Sequence, residues 1–137
     1  MGLEGMWYSQ LGSILDITQI SDGTLVGTYE TAVSDGCAQG EFALTGRTDV
    51  ESGGDTVGFA VTWLNDQSSC NATTSWAGQY QNVDGQESLT ALWLLAMESP
   101  ADEQWASTLV GEDVFTRQTV SADRKTEVAA YKRNPHP

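Results

Sequence analysis

The sequence predicts an all-β chain, an eight-stranded antiparallel up-and-down barrel, on three observations. Fourteen glycines against three prolines, with abundant Thr, Val, Trp and Tyr, favour strands joined by tight turns. Short segments rich in β-branched and aromatic residues recur at roughly 8–14-residue spacing, each followed by turn chemistry. Asp22-Gly23 and Asp84-Gly85 supply the positive φ that primed hairpin turns need. A length of 137 residues suits one domain with a true core. Eight strands enclose an interior just wide enough for one small ligand.

Taken in order, residues 5–11 read as the first strand, with Met6 and Tyr8 alternating against Trp7 and Ser9. Gly12-Ser13 is a turn, residues 14–20 alternate apolar and polar, and residues 21–24 form a hairpin turn. The third strand is expected over 25–33 and a loop carrying Cys37 over 34–40. The fourth strand follows over 41–47, and a Gly53-Gly54 turn region over 48–55. The next two, 57–64 and 73–81, make a hairpin with a long polar loop, and Trp63 and Trp76 stand on either side of that loop. Tryptophan is oversized for a small core unless something flat needs enclosing. Either ring alone reads equally as an ordinary core residue.

Residues 88–97 form the seventh strand, although Leu89, Leu92, Trp93 and Ala96 also fit a helical stripe. As a strand it is apolar on both faces, with Leu92 and Leu94 on the second, which implies burial against another subunit. Residues 107–117 are the eighth strand, after a loop holding Trp105. The barrel is therefore assigned to residues 1–117 and a charged tail without period-2 alternation to 118–137. The tail reads as disordered or as a short peripheral helix, with docking on a neighbouring chain as the alternative.

Nineteen acidic against six basic residues, a net charge of −13, argue against nucleic acid or an anionic membrane as partner. The acidity also serves solubility. The chain has no apolar run of membrane-spanning length. Its opening residues lack the basic and apolar regions of a signal peptide, which leaves location open. One histidine and two distant cysteines make a poor zinc site, so no metal is expected. A single disulfide between Cys37 and Cys70 fits better and implies an oxidising compartment, secreted or periplasmic.

Several stretches, laid in order, resemble the avidin and streptavidin family of biotin-binding proteins, its bacterial members most. Gly5-Met6-Trp7-Tyr8-Ser9-Gln10-Leu11-Gly12-Ser13 resembles the family's first strand and turn. Gly27-Thr28-Tyr29-Glu30-Thr31-Ala32-Val33 resembles its third strand, and Leu44-Thr45-Gly46-Arg47 its fourth. Trp63 with Thr74-Ser75-Trp76-Ala77-Gly78-Gln79-Tyr80 resembles the central hairpin, and Trp93-Leu94-Leu95 strand seven. Trp105-Ala106-Ser107-Thr108-Leu109-Val110-Gly111-Glu112-Asp113, with Phe115 beyond, resembles the last loop and strand. The resemblance covers about residues 5–117, and no single motif carries it.

The resemblance implies a non-catalytic biotin site and no cofactor. Ser13 and Tyr29 would donate to the ureido oxygen, with Ser9, where relatives usually have Asn, as a shorter third donor. Thr31 and Asp113 would accept from the ureido N–H groups, the carboxylate through a charge-assisted bond. Thr74 would approach the thioether sulfur, and Trp63, Trp76 and Trp93 would box in the bicycle. Trp105 matches the tryptophan that closes a neighbouring subunit's pocket. The ligand's carboxylate end falls to the loop that includes Val33 and Asp35 and to Ala72, with Thr73 as a substitute for the family's serine. Some bacterial avidins carry a disulfide where Cys37 and Cys70 stand, which would hold the lid preorganised. A homodimer, a homotetramer and a larger assembly all remain open, with strand seven favouring the larger.

Three other classes compete, one of them a structural module whose tryptophans are only core. Catalysis would need a nucleophile–base pair, yet the only histidine, His136, lies in the tail, and Glu112 and Asp113 are adjacent on a strand and point to opposite faces. A lipocalin-like carrier of another small ligand would need an apolar pocket without converging hydroxyls.

Overall fold

The computed structural model describes residues 2–32 and 36–119. Eight strands form one closed barrel: β1 (Gly5–Ser9), β2 (Ile14–Ser21), β3 (Thr24–Glu30), β4 (Phe42–Thr48), β5 (Thr56–Leu64), β6 (Ser69–Val83), β7 (Gln86–Met97) and β8 (Thr108–Thr116). Each strand pairs antiparallel with its chain neighbour, and β8 returns to β1. Both Asp-Gly pairs turn as expected, with Asp22 and Gly23 at φ 51° and 77° and Asp84 and Gly85 at 53° and 82°.

The barrel is widest in ladder where the chain is most β-prone. β6 and β7 pair continuously from Ala72↔Met97 to Val83↔Gln86, whereas β1 and β8 share only Tyr8↔Thr116 and Ser9↔Phe115. Residues 88–97 are strand, not helix. Leu89, Ala91, Trp93 and Leu95 face the core, while Leu92 and Leu94 stand 65% and 49% exposed on the outer wall.

Several expected boundaries move, each for a local reason. β1 ends at Ser9 because Gly12 N–H donates to Ser9 O (2.9 Å) and Ser9 N–H to Ser13 O (2.9 Å), which starts the turn early. β3 ends at Glu30, and Ala32 N–H leaves the ladder to donate to Ser13 Oγ at 3.0 Å. β4 is shifted one residue, and a one-turn 3-10 helix (Val50–Ser52) occupies the turn after it. The expected long loop of the central hairpin is short, because β6 begins at Ser69 rather than 73. Asn65 closes that turn, its Oδ1 accepting from Gln67 N (2.9 Å) and Ser68 N (3.0 Å). Cys70 therefore lies on a strand. β8 loses its outer residues, since Ser107 N–H caps the preceding helix at Gln104 O (3.0 Å).

The two barrel ends differ. The end holding the β2–β3 and β6–β7 turns is plugged. Trp7 is buried there with its indole N–H on Leu3 O (2.9 Å), and the Arg117 guanidinium lies 3.7 Å over its ring. Arg117 also donates to the carbonyls of Gly2, Glu4 and Met6 and pairs with Glu87 at 3.4 Å. The other end gathers the β1–β2, β3–β4, β5–β6 and β7–β8 connections. The tail from residue 120 onward, His136 included, lies outside the described residues.

Candidate functional site

At the unplugged end the strands deliver an unusual inner lining. Strand alternation turns Ser9, Tyr29, Trp63, Thr74, Trp76, Trp93 and Asp113 inward, and all are buried, with Ser13 beside them at the start of β2. Buried polar side chains are tolerated only when hydrogen-bonded, so their partners decide what they can do.

Most partners are scaffold donors. Ser9 Oγ accepts from Leu11 N (3.2 Å) and Ser13 N (3.1 Å), and Ser13 Oγ accepts from Ala32 N (3.0 Å). Trp63 Nε1 donates to Thr74 Oγ1 (2.9 Å). In each case the hydroxyl accepts from a scaffold N–H, which leaves its proton to donate. The Asp113 carboxylate accepts from Trp76 Nε1 (3.0 Å) at Oδ2 and from Gln10 Nε2 (3.0 Å) at Oδ1. A carboxylate offers about four acceptor sites, so these two bonds do not exhaust it.

Tyr29 departs from this pattern. Its hydroxyl is buried and makes no hydrogen bond among the described residues. Burial raises its pKa well above that of an ordinary phenol, the Asp113 charge adds to this, and the nearby Ser13 hydroxyl opposes it. The group is therefore a neutral donor at any physiological pH. Its ring is fixed by Trp76 (centroids 4.9 Å), Trp63 (5.9 Å, edge-on) and Phe115 (6.3 Å, edge-on).

The aromatic residues divide into two sets. Trp63 and Trp76 belong to a cluster with Tyr29, Phe42, Phe59 and Phe115, in which Phe59 stacks on Trp76 at 4.9 Å and Phe42 meets Trp63 at 5.1 Å. Trp93 instead lies across β8. Its ring occupies the space that a Cβ at position 111 would need, so Gly111 is there for room. Trp105 sits on a 3-10 helix (Ala101–Ala106) and is 84% exposed, away from its own chain's core.

The β3–β4 connection is tied covalently and non-covalently to the β5–β6 hairpin. Cys37 and Cys70 form a disulfide with Cα atoms 5.2 Å apart. Asn65 Nδ2 donates to Gln39 O (3.0 Å), and Ser68 Oγ donates to Cys37 O. Ala72 is buried and inward, and Thr31 follows β3 half-buried. Thr73 cannot replace a serine at the ligand's end: it faces outward, with its hydroxyl 3.0 Å from Thr62 Oγ1. Val33 and Asp35 lie outside the described residues. Among the described residues no three His, Cys, Asp or Glu side chains gather as a metal ion would require.

Sequence reasoning missed Gln10, Gly111, Asn65 and the phenylalanine floor. Phe42 and Phe59 carried a usable signal, each occupying a core-facing position of its strand.

Comparison with known proteins bears on this lining. The family model described as the Avidin family matches residues 1–118. Avidin-related protein 2 of Gallus gallus is 36% identical over 121 residues, which cover 85% of this chain and 77% of that protein. Fibropellin-1 of Strongylocentrotus purpuratus is 36% identical over 119 residues, 84% of this chain but only 11% of the sea-urchin protein. Afifavidin of Afifella pfennigii is 28% identical over 111 residues, 80% of this chain and 65% of its own length. With a closed eight-stranded barrel and a match across nearly all of it, the chain belongs to the avidin family.

Proposed function

We propose that this chain binds biotin, without catalysis or cofactor, at the unplugged end of the barrel. The observation that carries the reading is the Tyr29 hydroxyl, a buried donor with no hydrogen-bond partner among the described residues. Such a group costs about 1–3 kcal/mol when unsatisfied, and a ligand carbonyl would remove that cost. In this reading Ser9, Ser13 and Tyr29 converge on the ureido oxygen, and Asp113 and Thr31 accept from the ureido N–H groups. Thr74 lies toward the sulfur, with Trp63, Trp76 and Trp93 around the bicycle. The loop with Val33 and Asp35, together with Ala72, receives the carboxylate end.

The chain acts as a homo-oligomer in the same proposal. Leu92, Leu94 and Val110 (73% exposed) line an apolar groove of about 680 Å³ on the outer wall, a face that a second copy would cover. Trp105 of a neighbouring copy would then close the site. The disulfide favours a secreted or periplasmic setting. A lipocalin-like carrier of an apolar ligand is disfavoured by the buried polar set of Ser9, Ser13, Thr74 and Asp113.

The test is a thermal melt with and without biotin, against a retinoid and a fatty acid as competitors. A ligand that binds only the folded state stabilises by about 4 kcal/mol at 1,000 times its Kd. A large rise with biotin alone is expected. A rise with the fatty acid or retinoid and none with biotin would refute the proposal.

A further inference from the structure

The β1–β8 seam closes the barrel with the fewest main-chain rungs, and its last rung toward the site is Ser9↔Phe115. Beyond it, β1 has already turned, so the main-chain groups of β8 on either side of Asp113 have no strand opposite them. The side chain of Gln10 takes that place. Its Oε1 accepts from Val114 N at 2.9 Å, and its Nε2 donates to Glu112 O at 3.2 Å. A primary amide carries the same donor and acceptor as a peptide unit, so Gln10 extends the ladder by one side-chain rung. The same Nε2 donates to Asp113 Oδ1 at 3.0 Å. A flipped amide would set its oxygen against two acceptors, so these partners fix its orientation.

We propose that Gln10 is a positioning residue for the ligand site: by bridging Glu112 O, Val114 N and the Asp113 carboxylate, it links barrel closure to the orientation of the group that receives the ligand's N–H. The part of this that concerns ligand rests on the biotin reading above. Asp113 is held from two sides, Trp76 on Oδ2 and Gln10 on Oδ1, so the two donors together set its plane. Removal of the Gln10 donor takes away the constraint on Oδ1.

The substitution that separates positioning from mere stapling is Gln10→Glu. In its ionised form the introduced carboxylate keeps an acceptor for Val114 N but sets a negative oxygen against Glu112 O and Asp113. In its protonated form the introduced carboxyl group can donate to Asp113 again. The Tyr29 phenol stays protonated throughout the range, and the exposed Glu112 side chain points to the outer wall. Wild type, Gln10→Glu, Gln10→Leu and Arg117→Met are compared between pH 5 and 8. The Arg117 variant loosens the opposite end of the same seam.

Biotin affinity is read by calorimetry, and the Trp76 indole N–H resonance by NMR without ligand. The expected result is a loss of at least tenfold in affinity for Gln10→Leu at every pH. Gln10→Glu should lose as much at pH 8 and recover as pH falls, its Trp76 resonance moving in step. Wild type should be flat with pH, and Arg117→Met should melt earlier with affinity within twofold. The proposal is overturned if both Gln10 variants only melt earlier, with wild-type affinity, no pH dependence and an unmoved Trp76 resonance. Should wild type fail to bind biotin, the functional reading falls, and the resonance still decides: moved supports positioning, unmoved overturns it. If Gln10→Leu does not fold, Gln10→Glu at low pH, with the bonds to Val114 N and Asp113 restorable, carries the test.

Discussion

Replacing Tyr29 by Phe removes one oxygen from a position where it has no hydrogen-bond partner among the described residues, and it should move stability and affinity in opposite directions. The ring remains held by Trp63, Trp76 and Phe115, so packing is retained. In the ligand-free protein the substitution deletes a buried unsatisfied donor, whose cost is about 1–3 kcal/mol. Ligand-free Tyr29→Phe is therefore expected to be at least as stable as wild type, with a gain of up to about 1 kcal/mol after partial relaxation. For a domain of this size that is a rise in Tm of roughly 4 °C. Biotin binding should weaken by about 1–3 kcal/mol, roughly 5- to 150-fold, because one donor to the ureido oxygen is gone.

The same variant has an alkaline signature. Unfolded phenols ionise near pH 10, whereas folded Tyr29 resists ionisation because of burial and the Asp113 charge. Above about pH 10 the unfolded state therefore binds fewer protons than the folded state, and stability falls as pH rises. That component is fully present below pH 10 and is lost as pH rises toward the folded pKa. Tyr29→Phe lacks it, while the raised Tyr80 contributes equally to both proteins and cancels. Chemical denaturation between pH 8 and 11, with calorimetry of biotin binding, measures all three effects. A variant that unfolds more easily at pH 7 yet binds biotin as wild type does would show the hydroxyl to be structural and refute the reasoning.

Three further variants probe other parts of the site and its surroundings. Gly111→Ala places a methyl where the Trp93 indole lies; a cost of about 1–3 kcal/mol and weaker biotin binding are expected, and unchanged melting and affinity would count against Gly111 as a spacer. Removal of the disulfide by Cys37→Ser with Cys70→Ser releases a loop of sequence separation 33. The chain-entropy model gives about 3–4 kcal/mol for it, so Tm should drop by more than about 5 °C and biotin should dissociate faster in stopped-flow displacement. Leu92→Glu puts a charge on the outer apolar groove; light scattering should report a smaller assembly, and an unchanged mass would exclude that face as the interface.

How much of this was legible in the sequence follows from the range of the interactions involved. The Asp22-Gly23 and Asp84-Gly85 turns were legible because their chemistry is contained in two residues. The inward set of β7 was legible because period-2 alternation is local, and its second apolar face was visible for the same reason. The central hairpin loop was overdrawn because Asn65, Ser68 and Ser69 look like loop residues. Their side chains in fact tighten the turn and let pairing resume at Leu64↔Ser69. Gln10 was read as part of the first strand with no role of its own, since nothing local says that its amide will cross to a strand about a hundred positions away. Gly111 was quoted within a matching stretch without a role, because the ring it makes room for belongs to another strand.

The partner lists, read together, say what kind of ligand the lining suits. Scaffold N–H groups donate to the hydroxyls of Ser9, Ser13 and Thr74, which leaves each hydroxyl a proton to offer. Tyr29, with no partner among the described residues, offers a proton as well. Asp113 offers the reverse, a carboxylate with acceptor capacity, oriented by Trp76 and Gln10. The lining is thus split into a donor side and an acceptor side across an aromatic floor. A fatty acid or retinoid would leave both sides unpaired, at about 1–3 kcal/mol for each buried group. A cyclic urea, with an acceptor oxygen at one edge and N–H donors beside it, pairs both at once. Because the scaffold holds most of these atoms before ligand arrives, binding spends little on ordering them. The same preorganisation holds the Tyr29 hydroxyl in place, its ring fixed by three aromatic neighbours with the Ser13 hydroxyl nearby.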